Sequence, residues 1–401
     1  MALLPVEEAL LRTLEGLEPL TSEEVALPEA AERVLAADLR ARRTQPPFDA
    51  SAMDGYAVRA SDIEASSSTL SVIGESAAGR RFPGRISPGE AVRIFTGAPV
   101  PEGADTILLQ ENASVLGPGR ILALERPSPG RHIRRAGFDF KEGDEILAKG
   151  RFLDPAALSL AAAAGHSRLP VVRRPHVALI ATGDELVPPD VTPGPDQIVA
   201  SNNFAIAALA KREGAEISDL GIVPDQEDAI SRAVRRALEL GAHIIVTLGG
   251  ASVGEHDLVR HVLAAEGMEL DFWKIAMRPG KPLMVGRFGE TRVLGLPGNP
   301  VSSFVCAHLF LRPMVSRLAG RSFRPDLRTG RLGAPLKEND ERQDYIRAVI
   351  EEDSDCPIAT PFERQDSSML TTLATANGLI IRPPHAPTAQ AGSPCTILML
   401  R

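Results

Sequence analysis

The sequence predicts a multidomain α/β and β protein, and three observations carry that expectation. From Val171 to about Leu318, short apolar runs alternate with amphipathic stretches, the pattern of a parallel sheet covered by helices. Residues from about 48 to 138 are instead rich in Gly, Pro and Ser, with short runs such as AVRIF, TILLQ and RILAL, the texture of a small β domain. The 401 residues also exceed what one hydrophobic core usually holds, so roughly two to four domains are expected.

In chain order, residues 1 to 45 read as helical. Leu10, Leu11 and Leu14 fall on one face, and after a Thr21-Ser22-Glu23-Glu24 cap the segment PEAAERVLAADL carries a second amphipathic pattern. QPPFDASAMDG then breaks any helix, and 46–138 forms the β domain. The chain returns to helix in KEGDEILAKGRFLDPAALSLAAAAGHSRL, where Leu158 and Leu160 sit among alanines and Gly165 offers a C-cap. Residues 1–45 and 139–172 are therefore expected to pair as a helical linker domain into which the β domain is inserted. In 173–320 the alternation runs HVALIATG, NFAIAALAKREG, EISDLGIV, DAISRAVRRALELG, HIIVTLGG, LVRHVLAAEG, TRVLGLPG and SSFVCAHLFLRPMV. Residues 321–401, with GLIIRPP and CTILML, suggest a small, barrel-like terminal β domain.

Composition narrows the function classes. A net charge of −8 argues against nucleic-acid or anionic-membrane partners, both of which need a basic field. Cys306, Cys356 and Cys395 are odd in number and form no C-x-x-C pattern, so neither a zinc site nor a disulfide framework is expected. Glutamates interrupt the apolar residues of the first segment, which fits an amphipathic helix better than a signal peptide. No run reaches the ~18 apolar residues of a membrane span. The expected location is the cytoplasm.

The chemistry concentrates in loops that follow apolar runs. HIIVTL opens into GGASVGEHD, where Gly249, Gly250 and Ser252 allow backbone N–H groups to approach an anion beside a helix N-terminus. ALIATGDE ends in Gly183, Asp184 and Glu185, and ligands of parallel sheets sit at strand carboxyl ends, so these two loops should share a crevice. Glu185, Glu255 and Asp257 would bring carboxylates there; with phosphates present, oxygen ligands of this kind suit Mg²⁺. Each carboxylate, and Asp225 after EISDLGIV, could equally cap a helix. GLPGNP, with Pro297 and Pro300, is another strand-turn-helix junction, either a plain turn or a phosphate contact. Only six of the 44 Lys and Arg are Lys, yet Lys274 and Lys281 flank Arg278 within KIAMRPGKP, a placement that suits oxyanion binding. Asp54 in DASAMDGYAV and Thr96 in IFTGAPVPEGAD lie in Gly turns, where Asp is usually structural.

Taken together and in order, DASAMDGYAV, TGDELV, GGASVGEHD, KIAMRPGKP and GLPGNPVSS resemble the MoeA family of molybdopterin molybdenumtransferases, to which the C-terminal part of gephyrin is related. The resemblance spans essentially the whole chain. It implies a molybdopterin-binding-like α/β domain and an enzyme of molybdenum cofactor biosynthesis that inserts molybdate into adenylylated molybdopterin with release of AMP. It implies a homodimer whose cleft joins the β domain of one subunit to the α/β domain of its partner. Asp54, Thr96, Glu185, Asp225 and Asp257 match catalytic positions, the last three as Mg²⁺ ligands, and an adenylyltransferase and molybdoenzymes are possible partners. Two other readings stay open: a molybdopterin adenylyltransferase, which would resemble only 171–318, and a gephyrin-like scaffold. The chain departs from the family pattern at Phe138, where Glu often precedes the aspartate matching Asp139, so Asp139 is carried as a site candidate without an assigned role. Ala251 and Arg278 are further departures.

Overall fold

A computed structural model of the chain describes residues 3–64, 67–249 and 258–400. The chain divides into two compact units. The larger comprises Met1–Glu23, Glu32–Val34 and Val171–Arg401, the smaller Glu24–Ala31 and Leu35–Pro170.

In the larger unit, VALIAT and IIVTL are buried along their whole lengths, as the central strands of a sheet covered on both faces must be. They form strands His176–Thr182 and Ile244–Leu248 of a six-stranded sheet. Its order is Glu216–Val223, His176–Thr182, Ile244–Leu248, Thr291–Leu296, Met284–Phe288, Glu269–Trp273. The helix Asn202–Arg212 and the helical run from Pro300 to Leu318 cover one face, burying Ile206, Leu209, Val305 and Phe310. Glu227–Glu239 and Leu258–Ala265 cover the other. In Glu227–Glu239, Ile230, Val234 and Ala237 recur at helical spacing to make the buried stripe, while Glu227 and Asp228 complement the dipole of the first turn.

Two expectations change here. The sheet is mixed: its first four strands are parallel, but Met284–Phe288 and Glu269–Trp273 run antiparallel to their neighbours. The turn at Gly289 (φ 55°) joins adjacent antiparallel strands directly, so no crossover helix is required. The amino-terminal segment holds one helix, Val6–Leu14, followed by the strand Ser22–Ala26 and a 3₁₀ turn Leu27–Ala30 instead of a second helix. Long-range pairing overrides helical propensity there. The Val34 carbonyl accepts from the Val172 N–H in the larger unit, and Leu35 and Ala36 donate to Arg151 and Pro170 carbonyls in the smaller. The first helix buries Val6, Ala9 and Thr13 and leaves Leu11 66% exposed, and it packs on the larger unit's core.

Residues after 326 form a closed five-stranded barrel. Its ring runs Gln343–Glu351, Ile358–Pro361, Leu327–Leu332, Pro394–Met399, Gly378–Arg382 and back to Gln343–Glu351. Closure leaves no free edge among these strands and packs Ala348, Ile350, Ile380 and Ile397 inside.

The smaller unit is built on a second six-stranded sheet. Its order is Thr106–Leu109, Gly55–Val58, Glu90–Ile94, Thr69–Ser76, Arg120–Ala123, Ala113–Gly117. The helix Pro155–Ala163 opens with Pro at its first position and an Asp154 cap that accepts from the Ala157 N–H at 2.8 Å, and it is followed by Gly165 at φ 94°. No helix among the described residues is long and apolar enough to cross a membrane.

Candidate active site

The four parallel strands end on one edge of their sheet, and a cavity of about 670 Å³ opens there. Thr182, Gly183 and Glu185 reach it from the first loop, Asp225 from the edge strand, Leu248 and Gly249 from the third, and Pro297 to Pro300 from the fourth. Two glycines make that convergence possible. Gly249 has φ 101°, and a Cβ on it would lie 2.5 Å from the Thr182 carbonyl oxygen; a Cβ on Gly183 would lie 2.6 Å from the Glu185 carboxylate. Beneath the loops, the buried hydroxyls of Thr182 and Thr247 find no hydrogen-bond partner among the described residues. Buried hydroxyls are normally paired, so the unpaired one of Thr182, which lines the cavity, leaves a donor and an acceptor for a ligand.

Three carboxylates meet on the acidic side. The Asp225 N–H donates to Asp184 Oδ1 at 3.0 Å. Burial raises the Asp225 carboxyl above its ordinary pKa, and the Asp184 and Glu185 charges raise it further. Crowded like charges of this kind favour a bound cation. Among the described residues, however, no three His, Cys, Asp or Glu side chains form a ready metal group. Gly250, Ser252 and Asp257 lie outside the described residues.

Sequence reasoning missed the cavity's contributions from the helix Asn202–Arg212 and from the barrel. Asn202 Nδ2 donates to the Gly298 carbonyl at 2.6 Å, and Asn299 Nδ2 donates to Ser367 Oγ at 2.9 Å. Ser368 and Leu370 complete the wall. Their loop is fixed from below by Arg347, only 1% exposed, which donates to the carbonyls of Asp366 and Met369 at 2.9 and 3.2 Å. The acidic and hydroxyl run QDSS was the available signal, but it looks like any polar loop.

The basic segment separates into different roles. Arg278 is clamped by Asp344, by Asp340 at 3.0 Å and by Asn339 at 3.0 Å, so carboxylates of the chain itself already offset its charge. Lys274, in a left-handed conformation at φ 73°, holds its ammonium 3.7 Å from the centre of the Trp273 ring. The Lys281 carbonyl accepts from the Ile275 N–H, and its neighbour Pro282 lines the cavity.

In the smaller unit the structure brings Asp54 and Thr96 together. The Thr96 N–H and hydroxyl both donate to Asp54 Oδ1, at 2.7 and 2.8 Å. These bonds, the backbone one foremost, lower the carboxyl's pKa, and Arg93 adds to the effect. Arg93 was also missed: its guanidinium lies 4.9 Å from the Tyr56 ring centre and 5.1 Å from that of Phe95. Asp139 lies in the lining of a separate cavity of about 500 Å³, together with Phe138 and Gly97.

Comparison with known proteins finds matches along the whole chain. Residues 4–165 match the MoeA N-terminal region (domain I and II), 178–317 a probable molybdopterin binding domain, and 329–400 the MoeA C-terminal region (domain IV). The molybdopterin molybdenumtransferase of Haemophilus influenzae is 40% identical over 320 residues, 80% of this chain and 78% of the relative. That of Bacillus subtilis is 32% identical over 406 residues, 99% of this chain and 94% of the relative. The crystal structure of the molybdopterin biosynthesis MoeA protein from Pyrococcus horikosii, 29% identical, superposes over 100% of both chains with a TM-score of 0.84. Both units of the chain are thus covered by MoeA regions and by relatives matched over most of their own length, and the chain belongs to the MoeA family.

Proposed function

We propose that this chain is a molybdopterin molybdenumtransferase of molybdenum cofactor biosynthesis. It takes adenylylated molybdopterin and molybdate; water cleaves the phosphoanhydride to release AMP, and the two dithiolene thiols bind molybdenum as two molybdate oxygens leave as water with the thiol and solvent protons. The observation that carries the reading is the convergence of Gly183, Glu185, Asp225, Gly249, Pro297 and Pro300 on one strand-end cavity. Close-approach glycines there admit a phosphate or pterin edge, and the unpaired Thr182 hydroxyl lines the same cavity.

The carboxylates suit Mg²⁺, which takes one or two carboxylates together with substrate phosphates and needs no all-protein cage. Glu185 and Asp225, with Asp257, would hold it, and its charge would offset that of the phosphates. Lys274 and Lys281 supply ammonium charge for oxyanions. Asp54, kept ionised by Thr96, supplies a fixed negative charge and an acceptor for a substrate N–H or O–H, in the cleft of a homodimer beside the partner's strand-end loops. Positioning and electrostatics, without a protein nucleophile, supply the rate. The adenylyltransferase reading leaves the smaller unit and the barrel, both matched in the family, without a role.

The test mixes purified protein, adenylylated molybdopterin, Mg²⁺ and molybdate, then measures AMP release and metal-loaded cofactor. Molybdate-dependent release supports the reading. Formation of adenylylated product from ATP and molybdopterin would assign the protein to the adenylyltransferases instead, and absence of both activities would leave the scaffold.

A further inference from the structure

We propose that the cavity lined by Phe138, Phe48, Arg134 and Asp139 in the smaller unit is a stacking subsite for a planar, nitrogen-rich heteroaromatic ring that carries a phosphate. The adenylyl and pterin ends of the substrate both have this chemistry, and the assignment rests on the function proposed above. At about 500 Å³ the cavity is of the size that holds a small organic ligand.

Its most unusual member is Phe138, 74% exposed two residues before Phe140, which is buried. The exposed ring stands on a fixed backbone. The N–H groups of Gly137, Phe138 and Asp139 donate to the carbonyls of Pro46, Arg135 and Gln45 at 2.9, 3.0 and 3.1 Å. A rigidly mounted aromatic side chain with two rotatable bonds can cover a flat ring at little entropic cost. Phe48 provides a second aromatic surface, with the Arg81 guanidinium 5.6 Å from its ring centre.

Charge selects the ligand class. Arg134 is exposed, and neither it nor Asp139 enters an ion pair among the described residues. An apolar partner would leave both uncompensated. A phosphorylated heterocycle uses all four groups: the phenyl rings take its faces, the guanidinium its phosphate, and the carboxylate an exocyclic or ring N–H. Gly97, which also lines the cavity, directly follows Thr96 of the Asp54–Thr96 pair in the chain.

Calorimetric titration of the intact protein with AMP, a pterin phosphate and ribose 5-phosphate tests the proposal. Ribose 5-phosphate should bind far more weakly than at least one ring compound. Phe138→Ala should weaken that compound roughly five- to a hundredfold, the range for loss of one aromatic stacking partner. Phe138→Trp should keep the affinity, and the compound affected identifies which end of the substrate sits in the cavity. Arg134→Gln should weaken AMP while leaving adenosine alone, or have the same effect on the pterin pair. No measurable ring binding by the unmodified protein, or affinities within about twofold in both loss variants, would overturn the subsite. So would a Phe138→Ala change confined to dimer sedimentation, since the ring would then be a subunit contact. Molybdate-dependent AMP release, run in parallel, keeps the two hypotheses apart: release with unaltered binding rejects only the subsite, and Phe138-dependent binding without release rejects only the function.

Discussion

The strand-end cavity of the larger unit and the Asp54 turn of the smaller one reach reactive geometry by different routes. In the first, segments from distant parts of the chain converge, and Gly249 approaches the Thr182 carbonyl so closely that a Cβ would lie 2.5 Å away. In the second, an exposed carboxylate is positioned by two bonds from one residue, Thr96, and the adjacent Gly97 at φ 80° has open space around it. A site built by convergence couples chemistry to folding, because the contacts that shape it also hold the strands. A site built on one turn separates them, so substitutions there should remove function and leave the fold intact.

Matched glycine substitutions give the largest expected contrast. Gly249→Ala meets both a backbone collision and a left-handed φ, and should cost about 2–4 kcal/mol with at least roughly a hundredfold loss of AMP release. Gly97→Ala meets only the backbone preference, and should cost about 1 kcal/mol. Thermal melting followed by circular dichroism compares them. Equal costs would mean that the strand-end loops relax easily, and the contrast drawn here would collapse.

The next prediction concerns activity without stability. Asp54→Ala should lower AMP release on the order of a hundredfold and lower the melting temperature only slightly, because the half-exposed carboxylate gives up just its two bonds from Thr96, whose donors water can then reach. Mixing unfolded and refolded Asp54→Ala with Asp257→Ala chains should then recover about a quarter of normal activity if the site is shared across a two-fold dimer, since half the dimers carry one intact site of two. No recovery would place Asp54 in its own chain's site or remove it from the chemistry.

How far each region could be read from sequence follows the same division. Gly183, Glu185 and Gly249 follow apolar runs directly, so local pattern found the strand ends and their loops. Arg278 could not be placed that way: its clamp comes from Asp340 and Asp344, more than sixty positions on, and no local signal distinguishes a paired arginine from a free one. Ser368 and its support Arg347 escaped for a related reason, because only closure of the barrel carries that loop to the cavity. The second amino-terminal helix failed where propensity met long-range pairing, at Val34 and Leu35. The Asp54–Thr96 pair spans 42 residues, and residue types alone suggested only two turns; family resemblance singled out both members.

The smallest expected effect tests whether convergence strains the acidic loops. Burial, then Asp184 and Glu185, raise the folded-state pKa of Asp225 above its ordinary 3.8. A raised carboxyl favours the folded state fully below the unfolded pKa, and that contribution is lost as pH rises from 3.8 through the folded value. At neutral pH Asp225→Asn should therefore melt slightly higher than the unmodified protein, and the two should converge below about pH 4. The side chain is exposed enough for solvent to screen the difference to less than about 0.5 kcal/mol. Added Mg²⁺ should close the gap from the other side: a cation held by Glu185 and Asp225 stabilises the ionised form and lifts only the unmodified protein. Melting curves at pH 4 and pH 7, with and without Mg²⁺, separate these effects. A variant less stable at neutral pH without Mg²⁺ would show Asp225 to be a paired anion, and the crowded-carboxylate account of this cavity would fail.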